Sequence, residues 1–378
     1  MPTHWRHAVV GTGMAGEWHV RIVPKIPGSS LVAICDVRPQ HAGSILEKHG
    51  LRGIPIYTDL AEMLKQVKNI DIVHVCTPSG DHMNPAIIAM KAGKYVITEK
   101  PMEIQLDRIE RMVETAAKNK VRIAGIFQNR WNPANRALRD AAAEGRFGRL
   151  AWAGCFTPWY RKDEYYRDGG WRGTWKLDGG GAIMNQSVHA IDLLQWIAGP
   201  VKTVSAYASS RIHPEIEVED TLSASLEFQN GGYGTIMGTT AMYPGVPVRI
   251  EIGGENGTAI SENGLKVFKF RDERPGDLEL LERLAPPPPE VIRQRIRNVG
   301  GNELLGKLGV LKGASSMGAG SAADVALDLH GLNIQAILKA WGENRDAETC
   351  GLEARKAVAI ILAVYESARK KGHPVNVK

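Results

Sequence analysis

Three groups of residues have the types and spacing of reactive chemistry. The first is Gly11-Thr12-Gly13-Met14-Ala15-Gly16, a G-x-G-x-x-G turn between the apolar run Ala8–Val10 and a helical stretch. The first glycine permits the tight turn. The second lets backbone close on a pyrophosphate, and the third lets helix and strand pack. A diphosphate there lies at a helix N-terminus, where free amides and the dipole favour an anion. Asp36 ends the next apolar run, twenty positions after Gly16. A carboxylate so placed accepts both ribose hydroxyls and repels a 2′-phosphate. The pattern predicts NAD in preference to NADP. Arg38 is the nearby group able to pair with a phosphate or stack on adenine.

The second group is Glu99-Lys100-Pro101, directly after the apolar run Tyr95–Thr98. In open parallel sheets ligands bind beyond the carboxyl ends of strands. Thr77-Pro78-Ser79 ends the preceding run and belongs to the same edge. Burial and a positive nicotinamide ring would both push the Lys100 pKa down towards a useful acid/base range, with Glu99 tuning or orienting it. The plainer alternative is a lysine that only ion-pairs across domains.

The third group is Asn185, His189 and Asp192, spaced to share one face of a helix over Ser187–Ala198. A carboxylate beside an imidazole fixes its tautomer and raises its basicity. A lone helical histidine is also a common structural residue, so both readings stand. Nearby, six of the nine tryptophans fall between Trp131 and Trp196, with Tyr160, Tyr165 and Tyr166 and with Arg130, Arg161 and Arg172 interleaved. Aromatic faces stack on sugar C–H groups, and guanidinium groups fork onto hydroxyls or carboxylates. Trp152 and Trp196 read as core, and the Trp159–Trp175 run as a loop lining a cleft.

These groups need a scaffold. Short apolar runs at Ala8–Val10, Ser30–Cys35, Ile54–Tyr57, Ile70–Cys76, Tyr95–Thr98 and Val121–Ile126 alternate with helical periods. That is the pattern of a doubly wound parallel sheet covered by helices. From 201 to 270 the period is two, with turn signals such as Asn230-Gly231-Gly232, which predicts a mostly antiparallel sheet. The expected architecture is α/β: a Rossmann domain over 1–127, then an α+β domain over 128–350. Residues 351–378 form a closing helix that packs back. Within the second domain, 275–320 reads as an irregular insertion, with a proline run at Pro286–Pro289 and a glycine-rich stretch after it.

Composition narrows the class. The chain has 378 residues, 43% hydrophobic and 23% charged, enough apolar material for large cores. No apolar run approaches the length of a membrane helix, and the expectation is a cytoplasmic protein. The net charge of +6 is spread thinly, with no basic block to track nucleic acid. Cys35, Cys76, Cys155 and Cys350 lie far apart, which excludes a zinc ribbon or disulfide scaffold, and no metal is expected. An open sheet needs its outer face covered, so a homodimer or homotetramer through that sheet is expected.

GTGMAG, then ICD, then TPSGDHMNPAIIAMKAGKYVITEKP, then WRGTWKLDGGGAIMNQSVHAIDLLQWIAG together resemble the glucose–fructose oxidoreductase/inositol dehydrogenase/rhizopine-catabolism (Gfo/Idh/MocA) family. The resemblance covers about residues 6–270 and 322–377. It implies substrate between an open sheet and the nicotinamide, and oxidation or reduction of a secondary alcohol on a sugar or cyclitol. The family lysine falls on Lys100 and its histidine on His189. Where many members carry an aspartate, this chain has Asn185, so proton transfer rests on Lys100 and His189. His82, Gln128, Trp171 and Arg172 complete the expected cofactor set. Arg130, Arg161, Tyr165 and Asn185 complete the substrate set. The MNQSVH form resembles the sugar 3-dehydrogenase branch, which implies a pyranose, glycoside or uronate handled at C3. The alternative is a redox-neutral glycosidase or lyase: transient C3 oxidation, elimination and hydride return. The 275–320 segment departs from the family in its length and proline run.

Overall fold

The computed structural model describes residues 4–167, 170–286 and 321–378. Contacts divide the chain into two units. One is Met1–Phe127 with Lys176–Gly179 and Leu327–Val358. The other is Gln128–Trp175 with Gly180–Ala326 and Ala359–Lys378.

In the first unit the apolar runs become β1 (Trp5–Val10), β2 (Ser29–Cys35), β3 (Ile56–Tyr57), β4 (Ile72–Val75), β5 (Tyr95–Thr98) and β6 (Ile123–Gly125). They pair in parallel in the order β3-β2-β1-β4-β5-β6. All four residues of β4 are buried, as expected of a strand covered on both faces. The connections carry α1 (Met14–Ile22), α2 (Pro39–Lys48), α3 (Leu60–Gln66), α4 (Met83–Lys91) and α5 (Leu106–Lys118). The winding reverses between β1 and β4, the position at which such sheets open a crevice at their carboxyl ends.

The second unit contains α6 (Pro133–Ala143), β7 (Leu150–Pro158), α7 (Asp163–Arg167), α8 (Val188–Ala198), β8 (Val201–Ser209), β9 (Thr221–Phe228) and β10 (Tyr233–Thr239). It continues through β11 (Arg249–Gly254), β12 (Gly257–Glu262), β13 (Leu265–Phe270) and α9 (Asp277–Leu284). The chain ends with α10 (Ser321–Gly342), α11 (Gly351–Arg369) and β14 (Val375–Asn376). Eight strands pair in the order β13-β12-β11-β7-β10-β9-β8-β14. Every neighbour is antiparallel except β7 and β10, which run parallel. Leu222, Ala224 and Leu226 alternate inward along β9, and every residue of α8 is buried, so that helix forms the centre of this core. Tyr207 and Tyr233 lie exposed on β8 and β10.

Two strands of the second sheet lie outside the alternating region expected over 201–270: β7 and β14. Aromatic and glycine residues mask the alternation of β7, while β14 has only two residues. Ile334, Ile337, Leu338 and Trp341 of α10 pack with Ile72, Ile97 and Ala124 of the parallel sheet. Within the expected irregular insertion, residues 277–284 are helical as α9. The remainder from 287, with most of the proline run and the glycine-rich stretch, lies outside the described residues.

Candidate active site

The glycine turn after β1 assigns each glycine a distinct role. Gly11 has φ +83°, and a Cβ there would lie 2.8 Å from the Cys76 carbonyl oxygen. A Cβ on Gly16 would lie 1.9 Å from the Gly11 carbonyl oxygen, so α1 approaches the turn at backbone contact. Around Gly13 a Cβ would meet nothing within 4 Å. The space before the first turn of α1 is therefore open, and the amides there suit a pyrophosphate. Met14 is exposed beside it.

Thr12 donates its amide (2.6 Å) and its hydroxyl (2.7 Å) to Asp36 Oδ2, and the Arg38 amide donates to Oδ1 at 2.8 Å. Burial opposes the charge on Asp36, but these donors hold its carboxyl below the usual range. Asp36 is thus an anion that braces the glycine turn, with lone pairs left for a ribose. Arg38 extends into solvent, its Nε 3.7 Å from Asp36 Oδ1.

The carboxyl ends of β4 and β5 are joined by His82. Its Nε2 lies 2.9 Å from the Thr77 carbonyl oxygen, and its Nδ1 lies 2.9 Å from that of Pro101. The sequence reading places His82 among the cofactor contacts. The side chain is instead buried, with both nitrogens on main-chain carbonyls, and it clamps the Thr77-Pro78 loop to the Lys100-Pro101 loop. Glu99, also expected at the cofactor, turns into the core. Its Oε1 lies 2.9 Å from His19 Nε2, and its Oε2 accepts the Lys100 amide at 3.1 Å. Burial would raise the Glu99 pKa, but His19 and His330 hold it well below the usual carboxylate range. Lys100 itself is half-buried.

In the second unit, α8 is entered through a π-helical turn over Ala182–Gln186. Four of its five residues are buried, and Asn185 is the half-buried exception. Glu219 fixes this turn. Its carboxylate accepts the amides of Gly181 (3.0 Å) and Ile183 (2.9 Å) and the Tyr365 hydroxyl (3.0 Å). Burial outweighs those donors and pushes the Glu219 pKa up to about 7. A Cβ on Gly181 would meet the Glu219 carbonyl oxygen at 1.8 Å, so the turn tolerates only glycine there.

His189 follows on α8, and Gln128 Nε2 lies 3.5 Å from its Nε2. Sequence spacing pairs His189 with Asp192. The Asp192 carboxylate grips Arg130 in a fork, at 2.7 Å from Nε and 2.5 Å from Nη2. Arg130 has no solvent exposure, and its guanidinium lies 5.2 Å over the Trp196 ring. The expectation that Arg130 binds substrate is corrected: it is a core ion pair that anchors α8. Trp196, read from the sequence as core, is buried.

Tyr165 gathers the remaining candidates. The Arg161 guanidinium lies 4.8 Å from its ring centre and that of Arg172 lies 4.5 Å away. Gln186 Nε2 donates to the Tyr165 hydroxyl at 2.8 Å. Arg172 also lies 5.6 Å over Trp171, and its Nη1 donates to the Tyr165 carbonyl at 3.3 Å. Arg161 is buried to 7% exposure, while Trp171 and Arg172 are half-buried. The structure thus brings Arg161, Tyr165, Trp171 and Arg172 into one cluster, tied through Gln186 to the turn that carries Asn185. Sequence reading misses Glu219, Tyr365 and Gln186, whose links span up to 146 positions and leave no local pattern.

Comparison with known proteins extends this geometry. Residues 5–127 match the oxidoreductase family with an NAD-binding Rossmann fold, and residues 135–260 match the GFO/IDH/MocA C-terminal domain. A myo-inositol 2-dehydrogenase of Thermotoga maritima is 27% identical over 310 residues, covering 79% of this chain and 89% of that protein. The D-glucoside 3-dehydrogenase of Escherichia coli K12 is 29% identical, covering 60% of this chain and 68% of that protein. The WlbA dehydrogenase of Bordetella pertussis, solved with NADH and UDP-GlcNAcA, has a TM-score of 0.81 at 30% identity. The match covers 99% of this chain and 98% of that one.

Proposed function

The chain belongs to the Gfo/Idh/MocA family of NAD-binding oxidoreductases that act on sugars or cyclitols, and from that premise we propose that it oxidises a ring secondary hydroxyl, at C3, of a pyranose glycoside or uronate. One observation carries the reading. The open glycine turn, the ionised Asp36 and Lys100 all lie at the carboxyl ends of strands of one parallel sheet. Bound NAD supplies the hydride acceptor. Asp36 would hold the ribose hydroxyls, and the first-turn amides of α1 would hold the diphosphate.

Lys100 takes the hydroxyl proton as the carbinol carbon gives up its hydride, leaving a ketone. His189 is the second proton-handling group, oriented by Gln128. Asn185 offers an amide donor and acceptor to a neighbouring hydroxyl and moves no proton. Arg161 and Arg172, held against Tyr165, suit the distal part of the sugar. A carboxylate there would favour a uronate, in keeping with the UDP-GlcNAcA named for the WlbA structure. The exposed outer face of the second sheet, with Tyr207 and Tyr233, supports assembly as a homodimer or homotetramer through that face.

Glycosides, uronates and cyclitols tested with NAD, with NADH absorbance and released aglycone followed together, decide between the outcomes. NADH accumulation supports the dehydrogenase. Aglycone release without NADH assigns the redox-neutral glycosidase. Lys100→Met is expected to abolish turnover and leave NAD binding intact. Surviving turnover refutes the role given to Lys100.

A further inference from the structure

Three histidines of the first unit occupy positions where apolar residues normally pack. His7 lies on β1, His19 on α1 and His74 on β4, and each has no solvent exposure. They form one continuous chain. Ser29 Oγ lies 3.2 Å from His7 Nε2, and His7 Nδ1 lies 2.7 Å from His74 Nε2. His74 Nδ1 lies 2.7 Å from His19 Nδ1, and His19 Nε2 lies 2.9 Å from Glu99 Oε1.

The carboxylate sets the direction of the whole chain, because an ionised carboxylate only accepts. His19 must carry its proton on Nε2, which leaves Nδ1 as an acceptor. His74 must then carry its proton on Nδ1, and so must His7, while the Ser29 hydroxyl donates to the last bare nitrogen. With Glu99 ionised, neutral rings satisfy every nitrogen of the chain in this one arrangement. Burial pushes the His7 pKa down to about 3 and that of His74 well below its usual value, so neither ring holds a second proton. Apolar side chains would fill the same space at lower desolvation cost.

We propose that the imidazole chain is a tautomer lock that holds Glu99 as a buried anion against the Lys100 amide and so fixes the charge beside which Lys100 works. The inference rests on the role given to Lys100 above and makes His7, His19 and His74 positioning residues. The charged and titratable groups around the chain are few. Asp71, paired with Arg6, faces His7 from the end of the loop before β4, and His4 faces it from the chain start. His330 of α10 approaches Glu99 at 3.6 Å, and the buried Cys76 thiol feels the same carboxylate. None of these supplies the N–H that His74 gives to His19.

Removing that donor leaves a buried lone pair on His19 Nδ1. Without that donor the His19 tautomer is free to reverse, so a protonated Glu99 can donate to His19 Nε2, and the carboxyl group goes from one negative charge to none. An anion beside a lysine favours its ammonium form, so losing the anion makes Lys100 a base at lower pH.

The test has two arms. Nitrogen-15 spectra of histidine-labelled wild-type protein at neutral pH should show Nε2–H on His19 and Nδ1–H on His7 and His74. The reverse tautomer on His19 overturns the lock, whatever the enzyme's activity proves to be. In the second arm, His74→Leu should move the acidic limb of kcat/KM for alcohol oxidation down by about one pH unit, the lower range for a nearby charge. His74→Gln, which keeps an N–H donor and an acceptor, should restore the wild-type limb. Identical limbs in wild type and both variants, with unchanged NAD affinity, would show that the histidines are packing alone.

Discussion

The hydroxyl of Tyr365 donates to the buried carboxylate of Glu219 at 3.0 Å, and the same carboxylate accepts the Gly181 and Ile183 amides that shape the turn before α8. A C-terminal helix and a glutamate of the loop before β9 thus set the backbone on which Asn185 and His189 stand.

That carboxyl group ties stability to pH. Its pKa is about 7 in the fold, against an ordinary carboxylate value in the unfolded chain. The folded state therefore binds the extra proton between those two values, and stability falls as pH rises through that window. The full loss above pH 7 is about 3 kcal/mol, at about 1.4 kcal/mol for each tenfold change in proton affinity. Urea unfolding at pH 5 and pH 8 should show this decline in the wild type and a flatter dependence in Glu219→Gln. Parallel curves for the two proteins would remove the assignment.

Two glycines of one motif should fail in different ways. Gly13→Ala adds a methyl that meets nothing in the protein. Thermal stability should hold, while NAD affinity drops by about tenfold, equivalent to about 1.4 kcal/mol. Gly16→Ala forces a methyl against the Gly11 carbonyl and should destabilise the fold by about 1–3 kcal/mol or more. Calorimetric titration and melting of both variants separate the effects. A Gly13→Ala protein that binds NAD as well as wild type contradicts the open approach.

The proposed function gives Asp36 the choice of dinucleotide. Asp36→Ser removes both the ribose acceptor and the repulsion of a 2′-phosphate, while Arg38 remains in solvent beside the position. NAD affinity should fall by about tenfold, in line with losing a hydrogen bond to a charged group. The preference over NADP should shrink with it. Unchanged discrimination in a side-by-side titration would place the selectivity elsewhere.

Arg130 and Asp192 should behave as one buried unit. Either Arg130→Met or Asp192→Asn alone leaves a charge without its mate, at a cost of about 3–5 kcal/mol. An Arg130→Met/Asp192→Leu double variant should recover much of that loss. Additive losses in chemical denaturation would argue against the pair as the anchor of α8.

Much of the first unit is legible in the sequence because its information is local. Strand runs, the glycine turn and Asp36 lie within a few dozen positions, and each has a backbone reason to be where it is. The position of Lys100 just past the carboxyl end of β5 is readable from its place between an apolar run and a proline. The errors come where partners are remote. Arg130 looks like a substrate group because arginine is seldom buried, and its carboxylate lies 62 positions away. His82 and Glu99 do lie at the sheet edge, but nothing local shows that their side chains turn inward. The histidine chain stays hidden because each member, taken singly, is an ordinary polar residue inside an apolar stretch. The strand β7 is masked by its tryptophan and phenylalanine, although Ala153 and Cys155 alternate inward.

The parallel neighbours β7 and β10 carry a last implication. Strands running the same way cannot be joined by a tight hairpin, so the polypeptide must make a long excursion before it returns. Residues 159–232 are that excursion, and Arg161, Tyr165, Arg172, Asn185 and His189 all belong to it. The residues proposed to grip the sugar therefore form a cassette: a lineage can rewrite what it holds in one stretch of coding sequence while the flanking ribbons keep their partners.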